Sequence, residues 1–535
     1  MSSVPLIEAF GRIVYDFTRG LTEHYNPDEP EYTAEILGYH PLESTGREWY
    51  YKPVKELIYQ EYGENRASPP SFNLNIRIIN ASSTLEHDEL LQNDDTETSG
   101  AMAWKTFRPS IRHTICDSMF IGSLISLLAA IGIGTLYIAL AFLIYKTVMN
   151  CQYQKEKMTS RQQWMRTIAD VVSTSLIYFS PVLNLLFLFR SFQLKGLRRN
   201  LLLTCLIIYC LDSLYRVTLQ LIGKPFFTLS ALYNVPVYTV WVCSSMLQFY
   251  LVASNFLNRP KRKRILLLCK MFVPTICFVI LGFCMRYFIY PAYNKEKKEE
   301  RKLVIALFSP LAGLVLKAAS RICVQRLWNI THPGYSYVLL APLYFISAIM
   351  VRGLQAELNS LQSIAILGII HGAAEVVERS TIVVTDHVCH SLRTRKASPW
   401  GSFRTPRRER LTADVAIMSM LYESTAIVSV NGSLYMYQLI FLETTSVTSI
   451  IQEFALSTSV MLVIEWFFTS LSLAIETRYQ NIAVMAVWRC QWKRHTLVAI
   501  LNVLFIGVWV NVNLLEVVHG HFIGEPLKKC KMPFS

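Results

Sequence analysis

The feature that most constrains this chain is the gathering of its apolar residues into blocks of about 20, separated by short connectors rich in Lys and Arg. A block of that length is what an α-helix needs to cross the ~30 Å hydrocarbon core of a bilayer. No water is available there, so backbone N–H and C=O groups must pair within the segment, and each block is predicted to be a helix. Eleven blocks can be read, at 118–145, 167–189, 200–222, 232–256, 265–290, 303–322, 335–351, 361–378, 413–442, 452–476 and 496–515. The ninth is long enough to bend, with Gly432 as the expected bend. Only 17% of the residues are charged, against about a quarter in a typical soluble domain. The chain is too apolar for disorder and lacks the periodic glycine of a fibre. It is read as an all-α, polytopic helical integral membrane protein with about eleven transmembrane helices and a small acidic N-terminal extramembrane module.

The organisation follows from composition. Residues 1–80 form the N-terminal extramembrane module and 81–117 an acidic linker and juxtamembrane segment. Transmembrane helices 1–8 occupy 118–378, a basic cytoplasmic loop 379–412, helices 9–11 413–515, and a C-terminal tail 516–535. Within the module, Leu6, Ile7, Phe10, Ile13, Val14, Phe17 and Leu21 recur at helical spacing. That amphipathic helix is expected to pack on the rest of its own module. Phe72, Leu74, Ile76 and Ile78 alternate like a half-buried strand, and residues 81–101 have the composition of a disordered linker.

Charge sets the orientation. Residues 1–116 hold 18 acidic and 10 basic side chains, which leaves 42 basic and 20 acidic for the remainder out of totals of 52 and 38. The basic excess lies in short loops, where it fixes topology and meets anionic headgroups; nucleic-acid binding is not needed to explain it. Lys195, Arg198 and Arg199, then Arg259 to Arg264, then Arg393 to Arg410 are separated by even numbers of spans and share one side, with Arg489, Lys493 and Arg494. The N-terminus is therefore expected in the cytoplasm and the C-terminus outside, although Lys155, Lys157 and Arg161 and the Lys295–Arg301 cluster oppose the rule. The sequons at Asn80, Asn329 and Asn431 then fall in the cytosol or within a span, and no glycan is expected. Ser398-Pro and Thr405-Pro lie in the basic loop, where phosphate would cancel positive charge. Stretches 477–494 and 380–395 are amphipathic with basic flanks, as in interfacial helices.

Twelve cysteines contain no C-x-x-C pair. Those inside apolar blocks are read as small hydrophobes, and Cys116 and Cys151, flanking the first span, as acylation candidates. Ala130 and Gly134 form a small-xxx-small pair that would join helices within the fold or between protomers of a homo-oligomer.

Chemistry is sought where charge meets hydrocarbon. An ionised group in a span costs at least a few kcal/mol and marks a pathway, relay or pairing site. Asp212, Glu423 and Glu465 are the deepest acids and the principal candidates for an ion or solute pathway. Glu423 lies nine residues after Asp414, about 13 Å along a helix rising ~1.5 Å per residue. Secondary candidates are Arg216, one turn from Asp212 and able to neutralise it, Lys317, able to snorkel, and the i,i+4 pair His371 and Glu375. His387, Cys389 and His390 share donor chemistry suited to zinc, but they straddle a membrane boundary. No metal or other cofactor is expected. Pro181, Pro236, Pro274, Pro310 and Pro342 interrupt spans and free carbonyls. The Phe-Ser-Pro at 179–181 recurs at 308–310, a hint of duplication. Catalytic motifs are not found. The expected function is a multi-pass transporter or channel for an ion or small solute, coupled to protons or cations through buried carboxylates. The alternative is a receptor or assembly protein whose buried acids only lock helices together. A third class, a lipid-modifying enzyme using His371 and Glu375, has less behind it.

Overall fold

A computed structural model describes residues 7–16, 109–154, 158–189, 193–229, 235–256, 261–296, 298–327, 331, 333–358, 360–394, 406–443, 446–522, 524–530 and 532. The described residues form helices joined by short turns. We label them α1 (7–16), α2 (Ile111–Lys146), α3 (Ser160–Leu188), α4 (Arg198–Leu221), α5 (Val235–Phe256), α6 (Lys261–Lys295), α7 (Glu299–Gln325), α8 (Ala341–Ala356), α9 (Leu361–Thr394), α10 (Pro406–Phe441), α11 (Val447–Arg478) and α12 (Val484–His521). The strand expected at 72–78 and the linker at 81–101 lie outside the described residues.

Among the described residues, ten helices are long and apolar enough to cross a membrane. Their outer faces carry large apolar side chains in the open, such as Phe120, Leu211, Leu214 and Val463. Such faces are tolerable when lipid covers them. Ten such helices are what an integral multi-pass membrane protein requires, and the length and composition of the helices suggest that class. The expected span missing from these ten is the seventh, 335–351, which falls on α8, of 16 residues. At ~1.5 Å per residue it reaches only about 24 Å, short of the hydrocarbon thickness. It is apolar all round because it is buried on all sides: 13 of its residues are buried, so protein rather than lipid sets its length.

Local sequence starts these helices. Thr159 and Gln162 form a reciprocal capping box at α3, and the Ser446 hydroxyl accepts from the Ser449 N–H, 3.2 Å, at α11. Pro236 and Pro342 sit in first turns, where a missing N–H costs nothing, so neither interrupts a span. Pro310 does divide α7 into Glu299–Phe308 and Pro310–Gln325. In both Phe-Ser-Pro triplets the serine is buried and donates back along its helix, Ser180 to the Ile177 carbonyl at 2.9 Å and Ser309 to Ala306 at 3.0 Å.

The bundle is organised around α10, whose apolar window is 89% buried against 22% for α4. It touches α2, α8, α11 and α12. Gly432 lies within a continuous helix and serves as a contact instead of a bend: a Cβ there would fall 2.4 Å from Ile138. Gly134 likewise meets Val428 of α10, and Gly122 meets Ser470 of α11. Gly122 and Gly134 of the first span therefore serve contacts inside the fold.

Several surface expectations change. The N-terminal helix docks on the bundle: Phe10 and Val14 pack with Val376, Phe468, Leu471 and Ile475, and Gly11 lies against the Tyr479 ring. The stretch 380–394 continues α9, and 406–412 already belongs to α10; residues 395–405, with both Ser/Thr-Pro motifs, lie outside the described residues. The 477–494 stretch turns at Asn481 (φ 54°) and begins α12, with Ile482, Val484, Met485, Val487 and Trp488 buried in protein. It does not present them to headgroups. Cys151 forms a disulfide with Cys530, correcting its reading as an acylation site. Spacing could not reveal a pair 379 residues apart. The C-terminal strand-like tail is further tied by Cys530 N–H to Gln154 Oε1, 3.2 Å, and Lys528 N–H to the Phe441 carbonyl, 2.7 Å.

Candidate functional site

Residues 341–356 carry a guanidinium that sequence reading passed over. Arg352 of α8 is 2% exposed, and all three of its nitrogens are used. Nε donates to Glu423 Oε2 of α10 at 3.2 Å, Nη1 to Gln355 Oε1 at 3.0 Å, and Nη2 pairs with Glu465 Oε2 of α11. Thr469, one turn on, donates to Glu465 Oε1 at 3.1 Å, and Gln355 donates to the Ile364 carbonyl at 2.8 Å. Two of the three principal candidates therefore meet on one cation. The pairing answers the cost of burying either charge: the attraction that water would screen acts here at short range in a poorly polarisable interior.

Small residues of α9 let this happen. Gln355 presses on Gly368, where a Cβ would lie 2.9 Å from its amide nitrogen, and Phe468 of α11 presses on Gly372. One turn further along α9, Glu375 accepts from Ser419 Oγ of α10 at 3.2 Å and faces Arg379 Nη1 at 3.8 Å. Arg379 is itself held in a two-pronged pair with Glu476, at 2.9 and 2.6 Å. Lys317 does not snorkel; it turns inward onto Glu378 at 2.9 Å, with the Tyr344 ring beside it. Arg321 bonds Asp386 at 3.2 Å and the Tyr344 hydroxyl at 3.2 Å. A ladder of opposite charges thus runs between α7, α8, α9, α10 and α11.

Asp212 stands apart. It bonds Arg216 Nε at 2.8 Å, and the same guanidinium reaches Asp170 of α3 and lies over the Phe226 ring. The structure does not bring Asp212 to Glu423 and Glu465. His371 is buried on α9 beside the Ala306 carbonyl and within the field of Arg352. His387 is buried, the Cys389 side chain is half-buried, and that of His390 lies outside the described residues. Asp386, beside them, is occupied by Arg321 and Gln325. Among the described residues no group of His, Cys, Asp and Glu is gathered as for a metal.

Two further polar sites were missed. Asp414 accepts from Arg410 at 3.3 Å and pairs with His495 of α12 at 3.0 Å, while Tyr337 stacks on the imidazole. Glu357, in the turn after α8, is buried with Oε1 lacking a hydrogen bond. Burial pushes its carboxyl up to about 8, with Lys302 opposing the shift. Arg352 had a usable signal, a lone Arg in the apolar run AIMVRGL. The apolar block at 335–351 ends one residue before it, while the helix runs on to Ala356.

The chain matches no family model, no curated protein and no solved structure.

Proposed function

We propose that the protein is a transporter or channel for an ion or small solute, and that coupling charge moves through the carboxylates around Arg352. The observation that carries this reading is stoichiometric. Glu423 and Glu465 share one guanidinium, and Glu375 stands next to them with only a hydroxyl and a 3.8 Å approach from Arg379, which is already paired. With Glu476 counted, four carboxylates share the two guanidinium groups of Arg352 and Arg379, an excess that leaves room for exchangeable protons or a passing cation. Asp212, which shares Arg216 with Asp170 and is not brought to this cluster, has no part in this path. The rival is an assembly protein in which the same contacts only lock helices, a reading favoured by the full occupancy of Arg352. Glu423→Gln separates the two. In proteoliposomes it should abolish pH-coupled flux while leaving expression and thermal stability near wild type; unchanged flux discards the mechanism at that residue.

Orientation belongs to the same proposal. The Cys151–Cys530 bond ties the α2–α3 connection to the tail after α12, at helix ends opposite the basic α3–α4 and α5–α6 connections. Disulfides persist in oxidising compartments, and Lys/Arg-rich loops stay inside, so both signals support a cytoplasmic N-terminus. A membrane-impermeant maleimide added to sealed cells should label Cys151 and Cys530 only after reduction from outside, and endoglycosidase should leave mobility unchanged. Asn431, buried and bonded to Thr458 at 3.1 Å, is no glycan acceptor. Labelling from the cytosolic side alone would reverse the orientation.

A further inference from the structure

A cavity of about 330 Å³ opens between α6, α8 and α12, lined by none of the residues that pair around Arg352. It lies in the last third of α6, remote from the basic connection that starts that helix. Tyr153, beside the disulfide, donates to the Leu515 carbonyl of the α12 segment that lines it, 3.2 Å. Here α6 departs from α-helical winding into a π-turn, Met285–Ile289, a distortion frequent at functional sites. The walls are apolar and aromatic: Tyr290, Ile349, Met350, Trp509 and Leu514. Trp509 reaches its place because Gly282 has no side chain; a Cβ there would fall 2.4 Å from the indole.

The rim carries one charge of each sign. Arg286 Nη2 bonds Glu516 Oε2 at 2.8 Å, and Nη1 bonds Asn513 Oδ1, whose amide in turn donates to the Trp509 carbonyl at 2.7 Å. Asn294 completes the polar lining. The size and the mix of apolar wall with few polar groups suit a small-molecule site.

Charge decides the ligand class. An anion entering this rim would take Arg286 from Glu516 and leave a carboxylate facing it; a cation would strand Arg286 instead. A ligand with an anionic oxygen group next to an ammonium trades both contacts at once, and neither partner is left unpaired. We infer that the cavity binds a zwitterionic amphipath, with its anionic group on Arg286 and Asn513, its ammonium on Glu516, and its apolar part against Trp509 and Met350. The inference does not depend on charge movement around Arg352.

Two sources supply that chemistry, a lipid headgroup and a free solute, and one experiment distinguishes them. Calorimetric titration of the full-length protein in detergent would use four probes: dihexanoyl phosphatidylethanolamine, dihexanoyl phosphatidylglycerol, phenylalanine and phenethylamine. The zwitterions are expected to bind at least tenfold more tightly than the singly charged probes of like size. Tight binding of the phosphatidylethanolamine alone assigns the site to lipid, and of phenylalanine to a solute. Arg286→Gln and Glu516→Gln should each weaken binding tenfold or more, and Ile349→Phe, which narrows the cavity without touching a charge, should do the same. The exchanged pair, Arg286→Glu with Glu516→Arg, keeps the rim bonded and should recover part of the affinity, so a single variant that fails to fold leaves the test intact. Equal binding of phosphatidylglycerol and phosphatidylethanolamine, no binding of any probe, or affinity indifferent to all of these substitutions overturns the inference. Flux lost or kept in Glu423→Gln has no bearing on the titration.

Discussion

Arg352→Leu is expected to destabilise the bundle by about 3–5 kcal/mol, the range for removing one partner of a buried ion pair, and to leave little monodisperse protein on size-exclusion chromatography. The reason lies less in the bonds lost than in the groups left behind. Without the guanidinium, Glu423 and Glu465 face each other with Glu375 nearby, and each must either be ionised without a counter-charge or hold a proton. Adding Glu423→Gln and Glu465→Gln to Arg352→Leu removes those stranded charges. That triple variant is expected to regain most of the lost stability, because neutral amides can bond each other and Thr469. If Arg352→Leu alone is as stable as the triple variant, the guanidinium is not what holds α8, α10 and α11 together. The triple variant also bears on function: folded but silent in pH-coupled flux agrees with the transport proposal, and retained coupling rejects it.

The second large effect is expected from a single methyl group. Gly372→Ala places a Cβ 2.4 Å from Phe468 Cδ2 and 3.1 Å from its Cβ. Ring rotation cannot relieve a clash that includes the Cβ, so α9 and α11 must separate one turn from Glu465, the residue of α11 that holds Arg352. Overpacking of this kind costs typically about 1–3 kcal/mol. The gain of alanine over glycine in helix propensity is only ~1 kcal/mol. The thermal transition should therefore fall by several degrees, and Phe468→Ala should restore part of it. Gly132→Ala is the internal comparison. Its nearest neighbour is Leu128 Cδ1 of its own helix, at 3.8 Å, and it faces outward, so its transition should stay at or above wild type. Equal behaviour of the two variants would show that α9 and α11 are not in close contact at Gly372.

The site's legibility was uneven for reasons visible residue by residue. Glu423 and Glu465 could be found because a carboxyl in an apolar run is costly wherever the helix lies. Their meeting on Arg352 could not, since the three residues come from helices up to 113 positions apart. Asp212 and Arg216 were legible as a pair because i,i+4 neighbours share a helix face, but Asp170 was not. Lys317 illustrates the opposite failure. Its place four residues before Arg321 suggests snorkelling, and only the placement of Glu378 on α9 turns it inward.

By itself the sequence determined which segments are helical, which are apolar, and which connectors carry positive charge. All of these are settled within 20 or so consecutive residues by backbone satisfaction in lipid and by the cost of moving charge across it. Tertiary structure alone decided that α8 is enclosed by protein, that Gly372 and Gly432 are contacts, that Cys151 reaches Cys530, and that one arginine gathers carboxylates from two other helices. Those outcomes depend on which helix faces are turned toward one another. Hydrophobicity varies too little around a lipid-exposed helix to encode that, so it emerges only when close packing and charge pairing are satisfied together across the bundle.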